Sequence, residues 1–272
     1  MKGNIMKRRI INVVSNTNFE SRKTKAYLLE KLNEYGFHVP KYFDESAELT
    51  ICIGGDGAFL KAVHRNGFPD TPIIGINTGH LGFFQEVMPE KIDEFLDNYI
   101  AGNYKEEKIY LTGAVVYTRG RKFYLTAINE IVVKCKGSKV IHLDIFINRM
   151  HLQKFSGDGV IISTPVGSTG YNYSVGGAIL HPSIEALQIA SIAPINSSAF
   201  RTIQSSIVVP GNQIITLKPE QRYTNSSIII VDGNEISYSN LTKINFKISN
   251  KIVRRLVLNS DYYWTNLKGK FL

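Results

Sequence analysis

Cysteine is scarce in this chain, with Cys52 and Cys135 the only two among 272 residues. They form no C-x-x-C pair, and His38, His64, His80, His142, His151 and His181 fall at no ligand spacing, so neither a disulfide framework nor a structural zinc is expected. Both cysteines lie in or at the end of apolar, strand-like runs and read as reduced, buried or half-buried thiols. Long hydrophobic runs are missing as well. Ile10-Ile11-Asn12-Val13-Val14 is too short for a signal-peptide core, and nothing approaches the roughly 20 apolar residues of a membrane span. The expectation is a cytoplasmic protein with no membrane partner. Also absent is the G-x-x-x-x-G-K-[ST] pattern, so no P-loop lysine serves a bound phosphate. Acidic residues are the minority, 23 against 32 Lys and Arg, for a formal net charge of +9. That balance favours anionic partners, yet the basic residues are scattered as on an ordinary solvated surface, and no nucleic-acid partner is expected.

What is present is the composition of a globular protein, 43% hydrophobic and 20% charged, long enough for one large domain or two modest ones. The first hundred residues alternate strand and helix signals. Strands are expected at Ile10 to Val14, at Ile51 and its neighbours and at Ile73 to Ile76, with helices from about Glu20 to Tyr35 and Pro89 to Ile100. Each apolar strand empties into a small-residue turn, the place where open parallel sheets bind ligands. After Gly102 the runs become β-like: Ala114 to Tyr117, Phe123 to Lys134, Val140 to Ile147 and Val160 to Ser163. One helix is expected at about Gly177 to Ser191, and short strands continue to Leu258. The reading is an α/β N-terminal nucleotide-binding domain over 1–104, followed by a β-rich, sandwich-like domain over 105–258. The aromatic tail Tyr262-Tyr263-Trp264, within 259–272, is expected to pack back on a domain.

Three clusters carry chemistry. Gly54-Gly55-Asp56-Gly57 follows the apolar run Leu49 to Ile53 and opens a helix with Phe59, Leu60 and Val63 on one face. Glycines there let backbone N–H groups approach an anion at a helix N-terminus. A carboxylate in such a turn repels phosphate unless it meets a metal, a proton or a sugar hydroxyl, so Asp56 points to chemistry rather than anion binding alone. The second cluster is Asn129-Glu130, two polar residues inside an otherwise apolar β run, which require partners. The third is Gly157-Asp158-Gly159, followed after one strand by Thr164-Pro165-Val166-Gly167-Ser168-Thr169-Gly170-Tyr171-Asn172-Tyr173-Ser174. That segment offers amides, hydroxyls and, in Tyr171, a flat face for a base.

Together with Gly75-Ile76-Asn77-Thr78-Gly79-His80-Leu81-Gly82-Phe83, these clusters resemble the NAD kinases in order and spacing from about residue 50 to 200. GGDG alone also occurs in diacylglycerol-type lipid kinases and phosphofructokinases, but the later motifs do not belong to those families. The resemblance implies phosphorylation of the 2′-hydroxyl of the adenosine ribose of NAD, with ATP or, in some members, polyphosphate as donor and a divalent metal such as Mg²⁺ carried with ATP. It implies Asp56 as the catalytic acceptor, with Gly55 and Gly57 near the phosphates. Asn129 and Glu130 would hold the dinucleotide, Asp158 a ribose or amide group, and Val166, Thr169, Gly170, Tyr171 and Ser174 the adenine and nicotinamide ends. Phe83 and Ala193 would line the pocket, and no residue is assigned to a metal. The family habit implies a homo-oligomer, dimer or tetramer. The chain departs from the family at Ala58, where Thr is common, at Val166, where a hydroxyl residue is usual, and at Gly170, where Ala is usual.

A carboxylate of ordinary acidity does not strip a proton from a sugar hydroxyl at equilibrium. Its expected work is to orient the hydroxyl and take the proton late, as the new P–O bond forms. Two other readings stay open from the residues: a lipid kinase sharing the GGDG turn, and a non-catalytic dinucleotide sensor.

Overall fold

The computed structural model describes residues 9–137, 139–197 and 201–272. In chain order the first elements are β1 (Ile11–Ser15), α1 (Phe19–Glu34), β2 (Leu49–Gly54), α2 (Asp56–Arg65), β3 (Ile73–Asn77), β4 (Gln85–Val87), α3 (Ile92–Ala101) and β5 (Lys105–Thr118). Next come β6 (Lys122–Ala127), β7 (Glu130–Cys135), β8 (Ile141–Ile147), β9 (Met150–Gly157), β10 (Gly159–Ser163) and α4 (Tyr171–Ser174). The chain closes with β11 (Ala186–Ile192), β12 (Ile207–Pro210), β13 (Ile215–Pro219), β14 (Ser227–Val231), β15 (Asn234–Ser237), β16 (Leu241–Val257) and α5 (Tyr262–Phe271). Two compact units result. One runs to Lys108 and takes up the chain again from Val253 to Leu272; the other comprises Ile109–Ile252.

In the first unit β1, β2 and β3 are parallel neighbours, with Ile51 paired to both Val13 and Ile74. All six residues of β2 are buried, as a central parallel strand requires, which is why its sequence is a continuous apolar run rather than an alternation. Helix α1 starts at Asn18, whose side chain accepts the Ser21 N–H at 2.8 Å, and it ends before Gly36 at φ +79°. Leu28 and Leu32 of α1 share a core with Ile51, Ile53, Ile74 and Ile76 of the sheet and with Phe95, Leu96 and Tyr99 of α3. Helix α2 buries Ala58, Phe59, Ala62 and Val63, leaving Leu60 half-buried, and Phe59 stacks on Phe84 at 4.5 Å between ring centroids.

The second unit is β-rich. Six antiparallel strands lie in the order β12-β11-β10-β7-β14-β15, and a further set runs β16-β13-β8-β9. Ile131, Val133, Val160, Ile162, Leu187 and Ile229 of the first set meet Leu143, Ile145, Leu217, Ile244 and Phe246 of the second in one core. The helix expected at Gly177 to Ser191 is not there. The short helix α4 ends at Ser174, and Ala186–Ile192 is a strand, paired with β10 on one side and β12 on the other. A strand between two neighbours is buried on both faces, so its Ala, Leu and Ile lose the alternation that marks a strand and imitate a helix. The run Phe123 to Lys134 divides into β6 and β7, and the break falls at Ile128-Asn129.

Candidate active site

In the first unit the site is built on the carboxyl end of β2. A β-carbon on Gly54 would stand 2.5 Å from Ala58 Cβ and 2.8 Å from Asn16 Nδ2, so the turn closes only with glycine. Gly55 caps α2 in an extended conformation, and Asp56 opens the helix, where its negative charge meets the positive end of the dipole. Its carboxylate accepts the Phe83 N–H on Oδ2 and the Phe84 N–H on Oδ1, each at 3.0 Å. One lone pair on each oxygen is thereby engaged and the other remains to accept a hydroxyl. Gly82 is required by this packing, since a β-carbon there would lie 2.2 Å from Asp56 Oδ1. By contrast, a β-carbon on Gly55 or Gly57 would meet nothing within 4 Å. The protein's own packing does not demand glycine at these two positions.

The loop after β3 is held to this turn. Thr78 N–H donates to Gly54 O at 3.1 Å, Asn77 Oδ1 accepts the Gly79 N–H at 3.0 Å, and Gln85 Nε2 donates to Gly55 O at 2.9 Å. The Phe83 ring is 8% exposed, with Tyr263 and Phe271 of α5 beside it and Lys270 Nζ 4.9 Å from its centroid. Its backbone N–H, rather than its ring, is what it presents to Asp56. Cys52, on the same strand as the turn, is pushed up to about 12 by burial and stays a thiol.

In the second unit Asn129 and Glu130 sit at the start of β7. Asp232 orders them, a residue the sequence reading passed over. Its carboxylate accepts N–H groups from Ile128 at 2.8 Å, Asn129 at 2.7 Å and Glu130 at 3.2 Å. Asp232 occupies φ +44° and Gly233 φ +84°, the two central residues of the turn joining β14 to β15. An Asp-Gly pair between two apolar runs is the sequence signal for such a turn, although not for the second task of its carboxylate. Thr164 Oγ1 donates to Ile128 O at 2.6 Å, and Gly167 packs so closely on Asn129 that a β-carbon would stand 2.1 Å from its carbonyl oxygen.

Asn129 Oδ1 and Glu130 Oε2 are nevertheless buried with no hydrogen-bond partner. Burial, and behind it the Asp232 charge, pushes the Glu130 carboxyl up to about 7. Each orphaned acceptor calls for a ligand that brings N–H or O–H donors. Gly170 faces Glu130, since a β-carbon there would lie 3.7 Å from its Oε2. Val166 is half-buried and Thr169 buried in the turn before α4, Tyr171 is 38% exposed, and the exposed Ser174 spends its hydroxyl on Tyr171 O at 2.7 Å. Asp158 and Ala193 form a separate pair at the far end of β10. Asp158 N–H donates to Ile192 O at 3.0 Å, and Ala193 takes φ +43°. Five residue steps of extended strand, about 16 Å, separate Asp158 from Ser163, the residue paired with Glu130.

Comparison with known proteins gives a consistent result. Family models described as the ATP-NAD kinase N-terminal domain and the ATP-NAD kinase C-terminal domain match residues 7–104 and 128–251. An NAD kinase of Finegoldia magna is 42% identical over 97% of this chain and 98% of its own length. NAD kinase 1 of Oceanobacillus iheyensis is 34% identical over 96% of this chain and 97% of its own. Among solved structures, the fold is similar to that of yeast NADH kinase complexed with NADH, with a TM-score of 0.82 at 20% identity, covering 97% of this chain and 87% of the other. It is also similar to an Archaeoglobus fulgidus NAD kinase in complex with ATP, with a TM-score of 0.76 at 24% identity over 96% and 98% of the two chains.

Proposed function

The chain belongs to the ATP-NAD kinase family, and we propose that it transfers the terminal phosphoryl group of ATP to the 2′-hydroxyl of the adenosine ribose of NAD, giving NADP. The observation that carries this reading is the Asp56 carboxylate. At the head of α2 it is fixed by the backbone amides of Phe83 and Phe84, beside two glycines whose β-positions are empty.

In the proposed reaction the ribose hydroxyl donates to the open lone pair of Asp56. As its oxygen bonds to the γ-phosphorus, the bond from that phosphorus to the β,γ-bridging oxygen breaks and leaves with ADP. The hydroxyl proton passes to Asp56 late in the step and then to solvent. The first amides of α2 lie at Asp56 and Gly57 and have no carbonyl one turn back within the helix, so they are available to phosphate oxygens. Glycine at 55 and 57 fits a ligand that approaches the backbone closely, the one demand the protein's own packing does not make.

Asn129 and Glu130 hold the dinucleotide in this reading, their orphaned oxygens accepting hydroxyl or amine hydrogens. Val166, Thr169, Gly170, Tyr171 and Ser174 serve the base ends, with the half-exposed Tyr171 ring free to stack, and Asp158 and Ala193 the remaining ribose or amide. Among the described residues, no group of three or more His, Cys, Asp or Glu is arranged to hold a metal ion. A divalent metal such as Mg²⁺ would arrive on the phosphate oxygens of ATP, and no step above runs through it.

Among the described residues, no helix is long and apolar enough to cross a membrane. The cytoplasm, where NAD and ATP are both at hand, is the proposed compartment, and self-association as a dimer or tetramer the proposed state. Sedimentation at several concentrations tests the latter, and a strict monomer would overturn it. The reaction itself is tested by incubation with NAD, ATP and Mg²⁺. The product should serve an NADP-specific dehydrogenase, which requires the 2′-phosphate. NAD bound but returned unphosphorylated, with polyphosphate also tried as donor, would leave a dinucleotide sensor.

A further inference from the structure

The two amides that hold Asp56 belong to two consecutive peptide planes. The Phe83 N–H shares its plane with the Gly82 carbonyl, and the Phe84 N–H shares its plane with the Phe83 carbonyl. Each carbonyl is gripped from the far side by the C-terminal segment. Asn266 Nδ2 of α5 donates to Gly82 O at 2.6 Å, and Arg255 Nη1, near the end of β16, donates to Phe83 O at 2.7 Å. Asn266 is 3% and Arg255 7% exposed, and the second Arg255 amino group is tied to Glu107 at 2.8 Å. A peptide unit is planar, and in its trans form C=O and N–H point in opposite directions; no cis peptide occurs among the described residues. A side chain that fixes the carbonyl therefore fixes the direction in which the amide on the other side points. Hydrogen bonds in such a chain also polarise one another, so the amide becomes the better donor to a carboxylate.

We propose that Asn266 and Arg255 are positioning residues for phosphoryl transfer, each acting on Asp56 through one peptide plane. The inference rests on Asp56 being the catalytic carboxylate. The same segment supplies a third carbonyl bond for comparison. The Tyr262 hydroxyl donates to Gln85 O, two carbonyls beyond the pair, and that peptide plane carries the Glu86 N–H, which is not a partner of Asp56. A C-terminal segment that merely packs on the loop would need all three bonds alike. One that aims Asp56 needs the first two.

Full-length wild type, Asn266→Ala, Arg255→Lys and Tyr262→Phe are compared in kcat and KM for NAD and ATP. Asn266→Ala should lower kcat by about ten- to a hundredfold, the effect of a misplaced reacting group, with KM for NAD within about threefold of wild type. Arg255→Lys should fall in the same direction, and Tyr262→Phe should keep kcat within about twofold. Combined with Asp56→Asn, Asn266→Ala should cause no further loss in single-turnover measurements, because the two act as one unit. Unchanged kcat in Asn266→Ala, equal losses in Tyr262→Phe, or multiplicative losses in the double variant would each overturn the proposal. Should Asn266→Ala fail to fold, Arg255→Lys and Tyr262→Phe still separate aiming from packing. Full turnover by Asp56→Asn alone would instead remove the reading on which the inference stands.

Discussion

Replacing Glu130 with Gln should make the folded protein less sensitive to pH, by an amount that follows from its surroundings. The side chain is 8% exposed, Oε2 has no partner, and the Asp232 carboxylate is near enough to add to the effect of burial. The carboxyl is pushed up to about 7 from an ordinary value of 4.5. Between those values the folded state holds a proton that the unfolded chain has released, so stability present below about pH 4.5 is lost as pH rises through about 7. At 1.36 kcal/mol per tenfold change, the whole loss comes to about 3 kcal/mol. The amide that replaces the carboxyl has nothing to titrate. Urea unfolding of both proteins across this range, without ligand, should show the difference between them moving by about 3 kcal/mol in favour of the variant as pH rises. Parallel stability curves would refute the reasoning. Saturating NAD should flatten the wild-type curve if ribose hydroxyls donate to the carboxylate, because they stabilise its charged form.

Gly57→Ala places a methyl in open space within the first turn of α2, so stability should hold or rise by up to about 1 kcal/mol while KM for ATP rises; an unchanged KM would mean that no ligand approaches this backbone. Asp232→Asn keeps the turn but weakens the charge-assisted bonds to three amides, and a loss of about 1–2 kcal/mol in urea unfolding is expected with a rise in KM for NAD. A variant as stable as wild type would deny Asp232 its ordering role. Cys52, kept as a thiol by burial, should resist aromatic disulfide reagents until the protein unfolds, and rapid labelling of the native state would contradict the burial.

The glycine turn, Asp56 and the parallel strands around them are legible in the sequence because each has one physical cause. A strand buried on both faces must be apolar throughout, and the turn that follows it must accommodate Ala58 and Asn16 at distances only glycine allows. Asn129-Glu130 is legible for the opposite reason, as polarity placed where the fold has no other use for it. The strand β11 is misread as helix because its burial between β10 and β12 removes the pattern that distinguishes the two. The tail reads as aromatic packing, and its rings divide: Tyr263 is 8% exposed, whereas Trp264 stands 57% exposed. Asn266, which bonds the Gly82 carbonyl from that helix, carries no local signal. Its meaning depends on Gly82, 184 positions earlier, and only the folded chain brings them together.

The most direct test of the account is NADP formation by wild type and by Asp56→Asn at saturating NAD, ATP and Mg²⁺, with NAD binding measured separately on both. Asparagine keeps an oxygen for one of the two amides, that of Phe83 or of Phe84, and cannot take the hydroxyl proton. Turnover of Asp56→Asn should be lower by orders of magnitude with NAD affinity retained. Equal turnover in the two proteins would contradict it.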